Sequence, residues 1–324
     1  MILYTTGQFL KDISEYRSTM MGLSILAIIL FHQDFVNGFP LNFFHYYGYW
    51  GVDIFLLLSG MGLVNSLNKY PIHTFYQRRL LRLFPSCIFC GIFKCVVTLL
   101  LSSLILLPHG SSHINWLSPL SLDLWYIRAI IVYYLLSPWL FKYLQRMAGL
   151  TMAIVFLIFF VNELFFRVHD SNSLSWIPER LLVFTIGMLL MLKKDLLASK
   201  TILLSAVFLI VAVTIAATYK GDIHAVSLPW AIMIFCLAIG TITIIYLTVF
   251  LLKHIPQSFL EPFKWAGTIS LELYLVHEFI FGIVNMTMSR WLGNVGLLTI
   301  SVIFSLLLAY LCKWTIDKVT KKEK

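Results

Sequence analysis

Charge is what this chain has least of: Asp, Glu, Lys and Arg make up only 12% of its 324 residues, against 60% hydrophobic. A soluble domain is about a quarter charged. The mean hydropathy of +0.87 describes an apolar surplus too large to hide in one globular core, because surface grows too quickly relative to volume. The shortage excludes an ordinary soluble protein, and lipid must be the solvent for much of the chain. Acidic residues are scarcer than basic ones, 15 against 24. The resulting +9 does not point to nucleic acid, since the basic residues form no single patch and recur between apolar runs, as along a cytoplasmic membrane face. Cysteine is also sparse. Cys87, Cys90, Cys95, Cys236 and Cys312 all lie within or at the ends of apolar runs, and nothing like a redox domain surrounds the Cys87-x-x-Cys90 pair, so packing is the expected role. There is no Gly/Ser linker, no repeat of fixed period and no appended soluble domain, so residues 1–324 are expected to form one unit. The first nineteen residues are polar and of mixed charge, and no cleavable signal is expected. No metal and no tightly bound cofactor are expected either.

What is present is a series of apolar runs. About 20 apolar residues cross roughly 30 Å of hydrocarbon at 1.5 Å per residue. Ten runs qualify, at 20–37, 47–67, 83–107, 121–141, 149–167, 177–192, 201–218, 228–252, 268–288 and 296–316. They predict an all-α polytopic membrane protein with about ten transmembrane helices. With the N-terminus inside, eighteen Lys and Arg fall in cytoplasmic segments and only Arg167, Lys220 and Arg290 in the opposite loops. That bias predicts that both termini are cytoplasmic.

Ionisable groups inside such runs cost several kcal/mol unless paired or hydrated, so each is a functional candidate. They are His32, Asp53, Lys94, Asp123, Arg128, Glu163, Glu179, Arg180, Glu272, His277 and Glu278. His32 and Asp53 flank a short loop centred near Leu41 or Asn42, about ten residues before it and about eleven after it. Equal depth in the outer half of the bilayer is the expectation. A carboxylate beside an imidazole steadies the cation, as a general-base histidine requires; a His–Asp bond that merely joins two helices fits the spacing equally well.

In "FYQRRLLRLFP" (75–85), Arg78, Arg79 and Arg82 recur at helical spacing just ahead of the third run. Positive-inside anchoring explains many such clusters, but arginines on one face also suit bidentate capture of phosphate. Asp53 stands about 14 residues, roughly 20 Å, from the inner end of its helix. A ligand whose phosphates sit at the arginines would need a long slender arm to reach His32, and coenzyme A has one. In "SLELYLVHEFIF" (270–281), Tyr274, His277 and Glu278 share one face, so a second histidine lines the same cavity or is satisfied within the core. "SLDLWYIRAIIVYY" (121–134) brings Trp125 and Tyr126 to the outer interface, as an aromatic belt would, with Arg128 one turn beyond Trp125. Glu179 and Arg180 stand at the outer mouth of the sixth run.

Taken in order, an intramembrane His, "YWGVDIFLLLSGMGL", "FYQRRLLRLFP", "LWYIRAIIVYYLLSPWL", "FTIGM" and "GTISLELYLVHE" resemble the membrane acyltransferase-3 family from about residue 16 to 316. The resemblance implies about ten membrane helices and transfer of acyl groups, usually acetyl, from cytoplasmic acyl-CoA to sugar hydroxyls of cell-envelope glycans. It places the family's motif histidine on His32, its R-x-x-R pair on Arg79 and Arg82, and the aspartate of its G-V-D motif on Asp53. Many members carry an arginine eleven residues before the histidine. Here that residue is Met21, so either Arg17 substitutes or the contact is missing. Some members also carry an extracytoplasmic esterase-like domain, for which this chain has no room.

The resulting expectation is a multi-pass O-acetyltransferase of a bacterial cytoplasmic membrane. Acetyl-CoA would be the donor and a polysaccharide or lipid-linked sugar the acceptor. His32 and Asp53 would be catalytic, His32 either taking the proton of the attacking sugar hydroxyl or carrying the acyl group transiently, and Arg78, Arg79 and Arg82 would bind the donor. Trp125, Arg128, Glu179, Arg180, Tyr274 and His277 would line the acceptor mouth. The rival from another class is a transporter or flippase whose buried charges form a substrate path.

Overall fold

In hydrocarbon every backbone N–H and C=O must be satisfied within the chain, which leaves apolar runs of this length the α-helix. The computed structural model describes residues 6–32, 44, 47–103, 124–166, 174–197, 199–219 and 227–321, and no strand occurs among them. The helices are α1 (Thr6–Phe31), α2 (Trp50–Lys69), α3 (Ile72–Ser103), α4 (Trp125–Val161), α5 (Trp176–Leu192), α6 (Ser199–Tyr219), α7 (Ser227–Leu252), α8 (Gln257–Thr268), α9 (Ser270–Met288) and α10 (Asn294–Lys321). A π-helical turn, Asn162–Phe166, extends α4. Among the described residues eight helical stretches are long and apolar enough to cross a membrane. Asp123, Arg167, Lys220, Leu41, Asn42 and the run ends at 33–37, 104–107 and 121–123 lie outside the described residues.

The differences from the sequence reading are local. The fourth and fifth runs belong to one stretch, Trp125–Phe166, of 42 residues. That is about 63 Å, twice the hydrocarbon thickness, and the backbone leaves the helical region at Met147 (φ −141°, ψ 58°), between the two runs. The sixth run is α5, with 17 residues. The first helix begins at Thr6 rather than at residue 20: Phe9, Ile13, Tyr16 and Met20 form a buried stripe at spacings of three and four, and Lys253 Nζ pairs with Asp12 at 2.8 Å. The segment around Lys264, between the eighth and ninth runs, is the helix α8. It buries Leu260, Ala266 and Gly267 and exposes Phe259 and Trp265, as an interfacial helix does. Arg78, Arg79 and Arg82 lie inside α3, not ahead of it.

Two close approaches set the frame of the site. A Cβ at Gly22 would stand 1.8 Å from the Phe263 carbonyl oxygen, so α1 and α8 touch backbone to backbone. A Cβ at Gly51 would stand 2.5 Å from the Ser24 carbonyl, and one at Gly48 2.2 Å from that of Ala27, which fixes the antiparallel register of α1 against α2. Gly22→Leu is therefore expected to lower the melting temperature of the detergent-solubilised protein sharply, by the equivalent of about 3 kcal/mol, through overpacking. Gly149→Ala, where a Cβ meets nothing within 4 Å, is the control. Equal melting of Gly22→Leu and wild type would refute the contact.

Candidate active site

A narrow cavity, with about 70 Å³ of water-accessible space, opens between α1, α2, α3, α4 and α9. One end carries Arg17, Arg79 and Arg82. The Arg17 guanidinium reaches it because Nη1 donates to the Leu58 carbonyl at 2.8 Å and because residue 62 is glycine, where a Cβ would stand 3.2 Å from Nη2. Arg79 lies over the rings of Phe75 and Tyr134 (5.7 and 5.9 Å), and its Nε has no hydrogen-bond partner among the described residues. Arg78 does not belong to this group: it stacks on Tyr70 at 4.5 Å. Met21 lines the cavity as an apolar residue, and Arg17, one turn earlier on α1, brings its guanidinium to the same cavity.

The far end of the cavity is bounded by Ile28 and Tyr274. His32 and His277 lie one helical turn beyond them, and their rings meet edge to face with centroids 5.0 Å apart. His32 follows the last residue of α1 and is half-buried. The buried His277 places Nδ1 2.8 Å from the Tyr274 carbonyl and 3.2 Å from that of Leu273. Carbonyls only accept, so Nδ1 carries the hydrogen and Nε2 presents its lone pair. That Nε2 is 3.3 Å from His32 Nδ1, which is also 2.9 Å from the Ile28 carbonyl. Two acceptors at one nitrogen put the His32 hydrogen on Nδ1 and leave Nε2 facing Glu278 Oε1 at 3.1 Å. The ring is thus fixed by its own helix on one side and by α9 on the other, with Nε2 turned toward Glu278.

Asp53 does not face His32, contrary to expectation. Arg180 Nη1 donates to both Asp53 oxygens at 2.8 Å, and Arg180 Nε is 3.1 Å from Glu179 Oε1. Trp230 Nε1 reaches Glu179 Oε2 at 3.4 Å, and Tyr49 lies under the guanidinium at 5.6 Å. All three charged groups are buried, so they join α2, α5 and α7 rather than open to an acceptor mouth. The register explains it. Ser24 is opposite Gly51, so Asp53 is level with about residue 22, ten residues or some 15 Å deeper than His32. A loop-centre count cannot see this, because two helices need not leave their loop symmetrically.

The remaining candidates divide. Tyr274 and Tyr126 line the cavity, their rings 4.9 Å apart. Trp125 packs edge-on against Trp176 at 5.2 Å, joining α4 to α5, and Arg128 is half-buried one turn on. Glu163 is buried in the π-helical turn, accepting from Asn162 Nδ2 at 2.9 Å. Glu272 accepts from Ser86 at 2.7 Å and ties α9 to α3. Glu278 is the residue that sequence reasoning undervalued. The doublet His277-Glu278 was the available signal, but only the fold shows that the carboxylate meets His32.

The model of the acyltransferase-3 family, described as an acyltransferase domain, matches residues 20–314. No curated protein and no solved structure matches the chain. Nearly the whole chain is covered, including His32, His277 and every cavity residue except Arg17, and the chain accordingly belongs to the acyltransferase-3 family of membrane acyltransferases.

Proposed function

We propose that the chain moves an acetyl group from cytoplasmic acetyl-CoA to a hydroxyl of an envelope polysaccharide or lipid-linked sugar, in a bacterial cytoplasmic membrane with both termini inside. One observation carries the reading: a single cavity has three guanidiniums at one end and stops one helical turn short of two histidines at the other. Arg17 and His32 are 15 residues apart on α1, about 22 Å along the axis. A donor with phosphates at Arg17, Arg79 and Arg82 and a thioester on a long flexible arm matches that separation.

The acceptor hydroxyl gives its proton to His32 Nε2, and Glu278 stabilises the imidazolium so formed. The hydroxyl oxygen bonds to the thioester carbonyl carbon, the C–S bond breaks, and the proton passes from Nε2 to the thiolate, releasing coenzyme A. Asp53 acts by holding α2, α5 and α7 together and takes no part in the proton transfer.

Purified protein incubated with radiolabelled acetyl-CoA and envelope glycan fractions should label a glycan. Absence of CoA-dependent label in every fraction, with glycan movement across reconstituted vesicles, would replace this reading with the flippase. Arg17→Ala and Arg79→Ala should each raise KM for acetyl-CoA about 10- to 100-fold, the loss of a charge-assisted phosphate contact of roughly 1.5–3 kcal/mol. Arg78→Ala should change it little. Equal effects of all three would refute the assignment of the donor end.

A further inference from the structure

His32, His277 and Glu278 offer more than a base and its partner. Both imidazoles are held by backbone carbonyls at Nδ1, His32 by Ile28 and His277 by Tyr274, so both Nε2 atoms carry lone pairs. Metal-binding histidines are held in this way, the outer nitrogen donating to a carbonyl and fixing the tautomer and orientation of the inner one. The third group is a carboxylate, with Oε1 3.1 Å from His32 Nε2, and one donor atom from each of the three residues lies within 4.8 Å of the others. His32 Nε2 and Glu278 Oε1 are both acceptors, and at 3.1 Å they repel unless a proton or another cation lies between them. A proton satisfies the His32–Glu278 edge, but it leaves His277 Nε2 to a shared 3.3 Å contact. Tetrahedral coordination at about 2.0–2.1 Å sets ligand atoms roughly 3.3 Å apart, so small side-chain rotations would close the three donors on one ion.

We propose that His32 Nε2, His277 Nε2 and a Glu278 oxygen form a binding site for a zinc-class divalent cation. Two imidazoles and one carboxylate suit Zn²⁺ with a fourth position left open, whereas Mg²⁺ and Ca²⁺ take oxygen ligands. The half-exposed Glu278 side chain puts the open side toward solvent. A bound ion occupies the His32 nitrogen that would take the acceptor's proton, so it is an inhibitor that competes with catalysis. The binding stands independently of acyl transfer; the inhibition rests on the function proposed above.

The test uses the full chain in detergent, stripped with a chelator and then titrated with Zn²⁺ by calorimetry, with Mg²⁺ as the control and Co²⁺ as a visible-absorption probe. One Zn²⁺ per chain is expected, with no Mg²⁺ binding and a Co²⁺ d–d band of tetrahedral intensity. His277→Ala should weaken Zn²⁺ binding at least about a hundredfold, beyond the range seen for lost outer partners. Glu278→Gln, a change at a half-exposed side chain that leaves folding intact, should weaken it at least tenfold. No Zn²⁺ binding, or binding and Co²⁺ spectra unchanged in both variants, would overturn the site. Zn²⁺ bound at full stoichiometry with transfer undiminished would overturn the inhibition alone. Zn²⁺ binding in a protein that transfers no acetyl would support the site and count against the acetyltransferase reading.

Discussion

His32→Ala is expected to reduce acetyl transfer by roughly 10²- to 10⁴-fold, the usual contribution of a positioned general base. Its melting temperature and its affinity for acetyl-CoA should stay close to those of wild type. The separation is possible because of where the residue stands. His32 follows the last turn of α1 and is only half-buried, so truncation empties little packed volume. The three arginines lie at the other end of the cavity and do not touch it. Glu278→Gln should cost less, because the carboxamide keeps a neutral partner near Nε2 but cannot offset the imidazolium. Steady-state transfer, equilibrium binding of acetyl-CoA and thermal unfolding on the same preparation give the three readouts. Transfer by His32→Ala within about threefold of wild type would sink the assignment. Acid-quenched protein should retain no acetyl label, since the proton-transfer role forms no bond between His32 and the acyl group.

Asp53→Asn is expected to fail in a different way, by losing stability. The carboxylate is fully buried, and both of its oxygens accept from Arg180. Removing one partner of a buried pair costs about 3–5 kcal/mol, because the other charge is left without compensation. Glu179 at 3.1 Å offsets part of the charge on Arg180. The variant should therefore melt well below wild type, and whatever folded protein remains should bind acetyl-CoA with an unchanged KM. An Asp53→Asn protein that melts like wild type but is inert would show that the aspartate takes part in the chemistry, as the resemblance to the family's G-V-D motif implies.

These two outcomes mark the boundary of what was legible in the residues. That the solvent is lipid, that the runs are helical and that His32, Arg79, Arg82 and Tyr274 are functional candidates are all local readings. Hydropathy along a run, the cost of an ionisable group within it, and short motifs can be read without knowing what lies beside them. Arg17 was visible as the nearest basic residue upstream of His32, but nothing local said whether its side chain reached the arginine pair of α3. Only the packing of α1 against Gly62 brings it there.

The pairings themselves belong to the tertiary structure. His32 and His277 are 245 residues apart and Asp53 and Arg180 are 127 apart, and no spacing rule operates over such distances. The register of α1 on α2 is set by glycine contacts at residues 48 and 51, not by the centre of the loop, and it moves Asp53 away from His32 and within reach of α5. The sequence by itself determined a membrane-embedded helical protein with costly buried charges, because the transfer of each side chain into lipid depends on that side chain alone. The fold decided which of those charges cancel one another and which are left to meet a substrate, because a charge in a low-dielectric interior is satisfied by whatever the packing places within about 3 Å of it.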